Sequence, residues 1–157
     1  MPRGGRILRC MGITDERLAD FFDRYAETLR DFDAEATAQF WGLPGMIVTD
    51  DFAGALESRA DMAAGLASAH PLYKLLGLAS ASPELRSVNG LTDRIVTVRV
   101  RWSYLDEAGD VIVTTDYEYL LRDDADGLHV YLAVGIDEAE ALARAAQERG
   151  VDLDLFG

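Results

Sequence analysis

From Arg94 onward the chain alternates. Val96, Val98, Val100, Trp102 and Tyr104 are apolar, and Thr97, Arg99, Arg101 and Ser103 fall between them. Further on, Val111, Val113, Tyr117, Tyr119 and Leu121 share one phase, and Thr114, Asp116 and Glu118 the other. A period of two marks strands with one buried face. The turn Glu107-Ala108-Gly109-Asp110 closes the two into a hairpin by pairing Asp106 with Val111. That register sets Trp102 against Thr115, Val100 against Tyr117 and Val98 against Tyr119. On the opposite face it sets Arg101 against Asp116 and Arg99 against Glu118. A one-residue slip would lose both ion pairs and turn the rings outward. A turn over Asp123–Gly127 leads into a last strand, Leu128–Val134, with Leu128, Val130, Leu132 and Val134 expected in the core. His129 and Tyr131 then point the other way.

Upstream the period changes to that of a helix. Leu18, Phe21, Phe22, Tyr25, Leu29 and Phe32 form one stripe, with Thr14 as its cap and Ile13 and Leu18 as the staple. Asp33 starts a second short helix, expected to carry Phe40 and Trp41 and to stop at Gly42, Pro44 and Gly45. Met46–Asp50 and Ala53–Glu57 read as short strands. Ser58 and Asp61 cap a third helix, which Pro71 ends or kinks before one further turn over Leu72–Leu76. Ala79–Val88 is a strand placed at a sheet edge or bulge by Pro83, and Asn89-Gly90 is a turn signal. Asp137 and Glu140 open a final helix reaching about Glu148.

The predicted class is α+β. Three N-terminal helices pack on the concave face of a curved antiparallel sheet shaped as a cone, and a short C-terminal helix follows. At 157 residues the chain suffices for one domain burying about 70% of its unfolded surface. The expected division is a flexible tail over 1–12, the cone domain over 13–149 and a second tail over 150–157. The tail carries Arg3, Arg6, Arg9 and Cys10, with Met11 as a possible natural start. A net charge of −13 disfavours nucleic acid and anionic membrane as partners. A lone cysteine and no apolar run of about 20 residues fit a cytoplasmic location.

Phosphate loops, H-E-x-x-H, C-x-x-C and G-x-S-x-G are all missing from the sequence. Asp123–Gly127 fails as a calcium loop because Arg122 and Ala133 fall on ligand positions. No metal or cofactor is implied. The remaining constellation is aromatic: Tyr25, Trp41, Trp102, Tyr104, Tyr117 and Tyr119 all take phases that point into the cone. Four phenols are more polar handles than an apolar core needs. Such a lining suits a small, flat, mostly apolar ligand, and the competing reading is that the rings simply fill the cone.

The element order resembles the nuclear-transport-factor-2-like superfamily, including its SnoaL-like polyketide cyclases. Arg24-Tyr25, a short helix, Phe40 and Ile47-Val48-Thr49-Asp50 resemble the opening of the ketosteroid isomerases within it. The resemblance implies Tyr25 as oxyanion donor and Asp50 as proton-transferring base. Asp50 shares a strand phase with Met46 and Val48, which allows an inward carboxylate; the competing reading is a solvated aspartate at a strand end beside Asp51. The isomerases' third group, a protonated acid, would fall on Asp116, which the register places outside. Its inward neighbour Tyr117 is the remaining donor. Trp41, Trp102, Tyr104 and Tyr119 would line the ligand site.

Two functions follow as expectations. In the first the cone binds a flat apolar metabolite, with isomerase- or cyclase-type acid/base chemistry by Asp50, Tyr25 and Tyr117. In the second it is a non-catalytic interaction or accessory domain. In either case the outer sheet face, with Ile95, Ile112, Leu120 and Tyr131, is expected to join a homodimer.

Overall fold

In the computed structural model, which describes residues 12–152, the two long strands pair as their alternation requires. They are β4 (Ile95–Leu105) and β5 (Val111–Asp124) once the others are counted. Val98 meets Tyr119, Val100 meets Tyr117, Trp102 meets Thr115, Arg99 meets Glu118 and Arg101 meets Asp116. Val96, Val98, Val100 and Trp102 are almost wholly buried. On the other face Arg101 grips Asp116 through two bonds of 2.9 and 3.1 Å, and Arg99 holds Glu118 at 2.7 Å. The hairpin end departs from the expected register. Tyr104 pairs with Val113 and Leu105 with Val111, so Ile112 is the extra residue of a bulge. Ile112 is therefore buried and Val111 is exposed, which removes Ile112 from the expected outer patch.

The preceding elements are α1 (Asp15–Arg30), α2 (Ala34–Ala38), β1 (Trp41–Thr49), β2 (Phe52–Leu56), α3 (Arg59–Ala67), α4 (His70–Leu76) and β3 (Ser80–Gly90). After the hairpin come β6 (Gly127–Gly135) and α5 (Glu138–Arg149). The sheet order is β2-β1-β6-β5-β4-β3. It is mixed rather than wholly antiparallel, because β1 runs parallel to β6. Thr14 caps α1 by accepting from the Arg17 amide, and Ser58 caps α3 by accepting from Asp61. Pro71 lies in the first turn of α4, so it separates two helices instead of kinking one. Pro83 does lie on an edge strand, β3. Asn89 and Gly90 pair with Thr97 and Val96, so the turn falls one step later, after Gly90. The expected tail features at Arg3, Arg6, Arg9, Cys10 and Met11 lie outside the described residues.

Two further corrections bear on the site. The second helix ends before Phe40, and Trp41 begins β1. Gly42 to Gly45 do not stop a helix but form a wide bulge: Trp41 pairs with Val130 and Met46 with Leu132. Pro44 sits where ladder pairing is interrupted. Glycine is required at 42 because a Cβ there would lie 2.1 Å from the Tyr131 ring.

The second correction concerns β6. Leu121 pairs with Val130 but Leu120 with Leu132, so Tyr131 is a bulge residue and the strand changes phase there. Ala133, not Leu132, lies on the core side. The register of β1 against β6 then puts Ile47 inside with Ala133. Met46 and Val48 join Leu132 and Val134 on the outer face. One extra residue thus moves two aliphatic side chains out of the core.

The hydrogen bonds from the Arg101 guanidinium hold the Asp116 carboxyl below its ordinary value, against the smaller opposing effect of its partial burial. A depressed folded pKa contributes stability that is present above the unfolded value near 4 and is lost as pH falls through the folded one. Asp116→Asn should therefore lower stability at pH 7 by roughly 0.2–1 kcal/mol. The difference from wild type should close below about pH 4. Urea unfolding at the two pH values checks this; a difference that persists in acid would contradict it.

Candidate functional site

The helices and the inner face of the sheet enclose a cavity of about 360 Å³. Each wall comes from a different element. Tyr25 comes from α1, Trp41 from the start of β1, Trp102 and Tyr104 from β4, and Tyr117 and Tyr119 from β5; all six line the cavity. Leu29, Ile47, Leu56 and Leu66 complete much of its apolar surface. Phe52 is 59% exposed yet also lines it, so it stands at the mouth.

The rings are held by paired polar tips. The Trp41 indole donates to the Tyr25 hydroxyl oxygen at 3.1 Å, and the Trp102 indole donates to that of Tyr119 at 2.8 Å. Each phenol oxygen is thereby satisfied as an acceptor, and its own proton remains available to be donated. Trp102 stacks on Tyr104 with ring planes 8° apart, and Tyr117 stacks on Tyr119 at 14°. Burial pushes the Tyr25 phenol up to about 12. Those of Tyr73, Tyr104, Tyr117 and Tyr119 are raised for the same leading reason. All five remain protonated donors at neutral pH.

The carboxylate in this cavity is Glu138, at the start of α5. Its Oε2 accepts from the Tyr73 hydroxyl at 2.8 Å, and its Oε1 accepts from Tyr117. Its negative charge adds to the upward shift of the surrounding phenols. It lies in the first turn of α5. Among the described residues no lysine or arginine lines the cavity, and none pairs with Glu138.

Asp50 is not brought to this place. It is exposed, in the turn between β1 and β2, and does not line the cavity. The reason is the phase change at Tyr131: Met46 and Val48, whose phase Asp50 was expected to share, face outward. The expectation of an inward Asp50 carboxylate is therefore corrected. Asp116 lies outside, as the register requires.

Sequence reasoning missed Glu138, Tyr73 and His70, all of which line the cavity. Asp137 and Glu140 drew notice as a helix cap, but the Asp137 side chain instead accepts from the Asp116 amide at 2.9 Å. No local pattern marks Glu138, because its partners Tyr73 and Tyr117 are distant in sequence. A separate grouping of Asp124, Asp126 and His129 is already engaged, since Asp124 accepts from Arg122, His129 and Tyr131. Among the described residues no helix is long and apolar enough to cross a membrane.

The indole–phenol pairs yield a test of the wall. Tyr119→Phe leaves the buried Trp102 N–H without its acceptor, at a cost of about 1–3 kcal/mol. Urea unfolding should show that loss, and an unchanged midpoint would contradict the pairing.

Comparison with known proteins places this architecture. Solved structures with the same fold include an NTF2-like protein with a cystatin-like fold from Novosphingobium aromaticivorans. It is 17% identical, with a TM-score of 0.58 over 81% of this chain and 86% of that one. A domain of unknown function from Nostoc punctiforme is 14% identical, with a TM-score of 0.62 over 91% and 97%. A ketosteroid isomerase-like protein from Erwinia carotovora atroseptica is 16% identical, with a TM-score of 0.54 over 79% and 97%. No curated protein matches the chain. The model of one family, described as NTF2-like protein (DUF6841), matches residues 15–138, and with the cone, the mixed sheet and the C-terminal helix it shows that the chain belongs to that NTF2-like family.

Proposed function

We propose that this protein binds a small, flat, mostly apolar molecule inside its cone, with the ligand's polar end at the cluster of Glu138 and its tyrosines. The observation that carries this is the open cavity itself. Rings that merely filled the cone would leave no space of about 360 Å³ among them. The lining is mostly aromatic and aliphatic, with a few convergent polar groups, as small-molecule sites generally are. The Tyr25 and Tyr119 hydroxyls can donate to an acceptor atom of the ligand, and Glu138 can accept from it.

This reading moves the acid/base expectation away from Asp50. Among the described residues Glu138 is the one carboxylate lining the cavity, so proton transfer on a bound molecule would run through it. Tyr25 and Tyr119 would then be the donors facing developing negative charge. The isomerase-like structural relative supports the fold of such a site and not its substrate.

A screen of steroids, polyketides and flat aromatic compounds for thermal stabilisation tests the binding. A ligand present at 100 times its Kd adds about 2.7 kcal/mol to stability. Leu66→Trp, which places an indole in the cavity, should abolish that stabilisation while the protein stays folded by circular dichroism. Asp50→Asn should leave it unchanged. A hit that stabilises wild type and Leu66→Trp equally would contradict binding in the cone.

We also propose that two copies pair through the outer sheet face. The phase change in β6 puts Leu132 and Val134 beside Leu120, Met46 and Val48 on that face, which gives a larger apolar patch than the sequence pattern alone. Light scattering at micromolar concentration should give twice the 17.2 kDa chain mass. Val48→Asp should reduce it to that of one chain, and a single-chain mass for the wild type would overturn the pairing.

A further inference from the structure

The polar end of the cavity is chemically lopsided. It contains one carboxylate, Glu138, and no lysine or arginine among the described residues. The two groups that bind Glu138 are neutral phenols, one on each carboxylate oxygen. Each oxygen keeps a further lone pair. A carboxylate at the wall of an aromatic cavity is stabilised most by an opposite charge; among the described residues no lysine or arginine of the lining provides one, and burial and Lys74 hold the His70 imidazole of the same lining below its ordinary value, toward the neutral form.

The neighbouring rings fit the same charge. Tyr73, Tyr104 and Tyr117 all line the cavity about Glu138, and the Tyr73 and Tyr104 centroids lie 5.1 Å apart. Aromatic faces attract a cation through the ring quadrupole, more strongly where water is excluded. The Tyr73 and Tyr117 hydroxyl protons are committed to Glu138, so these two residues offer an incoming group ring surface rather than a donor. An anionic ligand group at this end would meet a carboxylate of like sign. The protein's net charge of −13 also raises the local concentration of cations over anions.

We propose that the ligand of this cavity is an amine: a flat apolar body carrying one ammonium group, which sits against Glu138 among the rings of Tyr73, Tyr104 and Tyr117. This rests on the reading of the cone as a small-molecule site and narrows it to a ligand class. The apolar body lies against the Trp41 and Trp102 side of the wall. The protons of Tyr25 and Tyr119 remain available to an acceptor atom elsewhere on the ligand.

The test is calorimetric titration of the whole protein with three matched probes: tryptamine, which carries an ammonium, tryptophol, which is neutral, and indole-3-propionate, which is anionic. The expected order is tryptamine first, tighter than tryptophol by roughly tenfold, and indole-3-propionate last. Glu138→Gln keeps the shape and removes the charge. It should bring tryptamine to within about twofold of tryptophol while tryptophol binding survives, which shows that the cavity is intact. Tryptamine binding no tighter than tryptophol, or indole-3-propionate binding tightest, would overturn the amine proposal and leave the pocket reading standing. Equal preference for tryptamine in Glu138→Gln would also overturn it. Should the variant fail to fold, the order of the three probes on wild type still decides. Saturable binding by none of the three overturns the amine proposal, and the stabilisation screen against Leu66→Trp then judges the pocket by itself.

Discussion

The pairing of β4 with β5 is the constraint on which the rest of this molecule depends. Arg101 on Asp116 and Arg99 on Glu118 fix the outer row. The same register aims Trp102, Tyr104, Tyr117 and Tyr119 at the helices. Charge on one face and rings on the other specify one alignment, because any odd slip would put rings in water and leave four ions unpaired. The cavity wall is a consequence of that alignment, and the residues of α1, β1, α4 and α5 complete a surface that the hairpin has already oriented.

A cone lined by tyrosines and tryptophans needs its polar atoms satisfied without filling its volume. The structure does this in pairs at the wall. Two indoles donate to two phenols, and two phenols donate to one carboxylate. Each bond fastens one element to another: α1 to β1, β4 to β5, and both α4 and β5 to α5. The polar groups therefore act as wall ties, and the space between them stays open. The same arrangement leaves a carboxylate with neutral phenols as its partners, and on this the proposed preference for a cationic ligand rests.

How far this was legible in the sequence depends on the length of the repeat. The β4–β5 register, the faces of Trp102, Tyr117, Arg101 and Asp116, and the caps at Thr14 and Ser58 follow from periods and pairs that run over many residues. Bulges have no such signature. The extra residue at Ile112 exchanged it with Val111, and the one at Tyr131 moved Leu132 and Val134 outward and took the expected inward phase of β1 with them. Asp50 was lost to the site by that single shift. Gly42-Leu43-Pro44-Gly45 reads locally as a helix stop, and only the Tyr131 ring lying over Gly42 explains it as a bulge. Glu138 was illegible for a different reason: its role depends on Tyr73 and Tyr117, which lie 65 and 21 residues away in sequence.

We have proposed that the cone is an open ligand site. The chain has two tryptophans, Trp41 and Trp102, and both line the cavity. The two indole N–H signals of ¹⁵N-labelled protein therefore report on its interior directly. Titration with unlabelled tryptamine should move both signals along one saturable curve, since each indole is bonded to a phenol that lines the cavity. Signals that stay in place while tryptamine is shown by calorimetry to bind would put the ligand outside the cone and contradict the account.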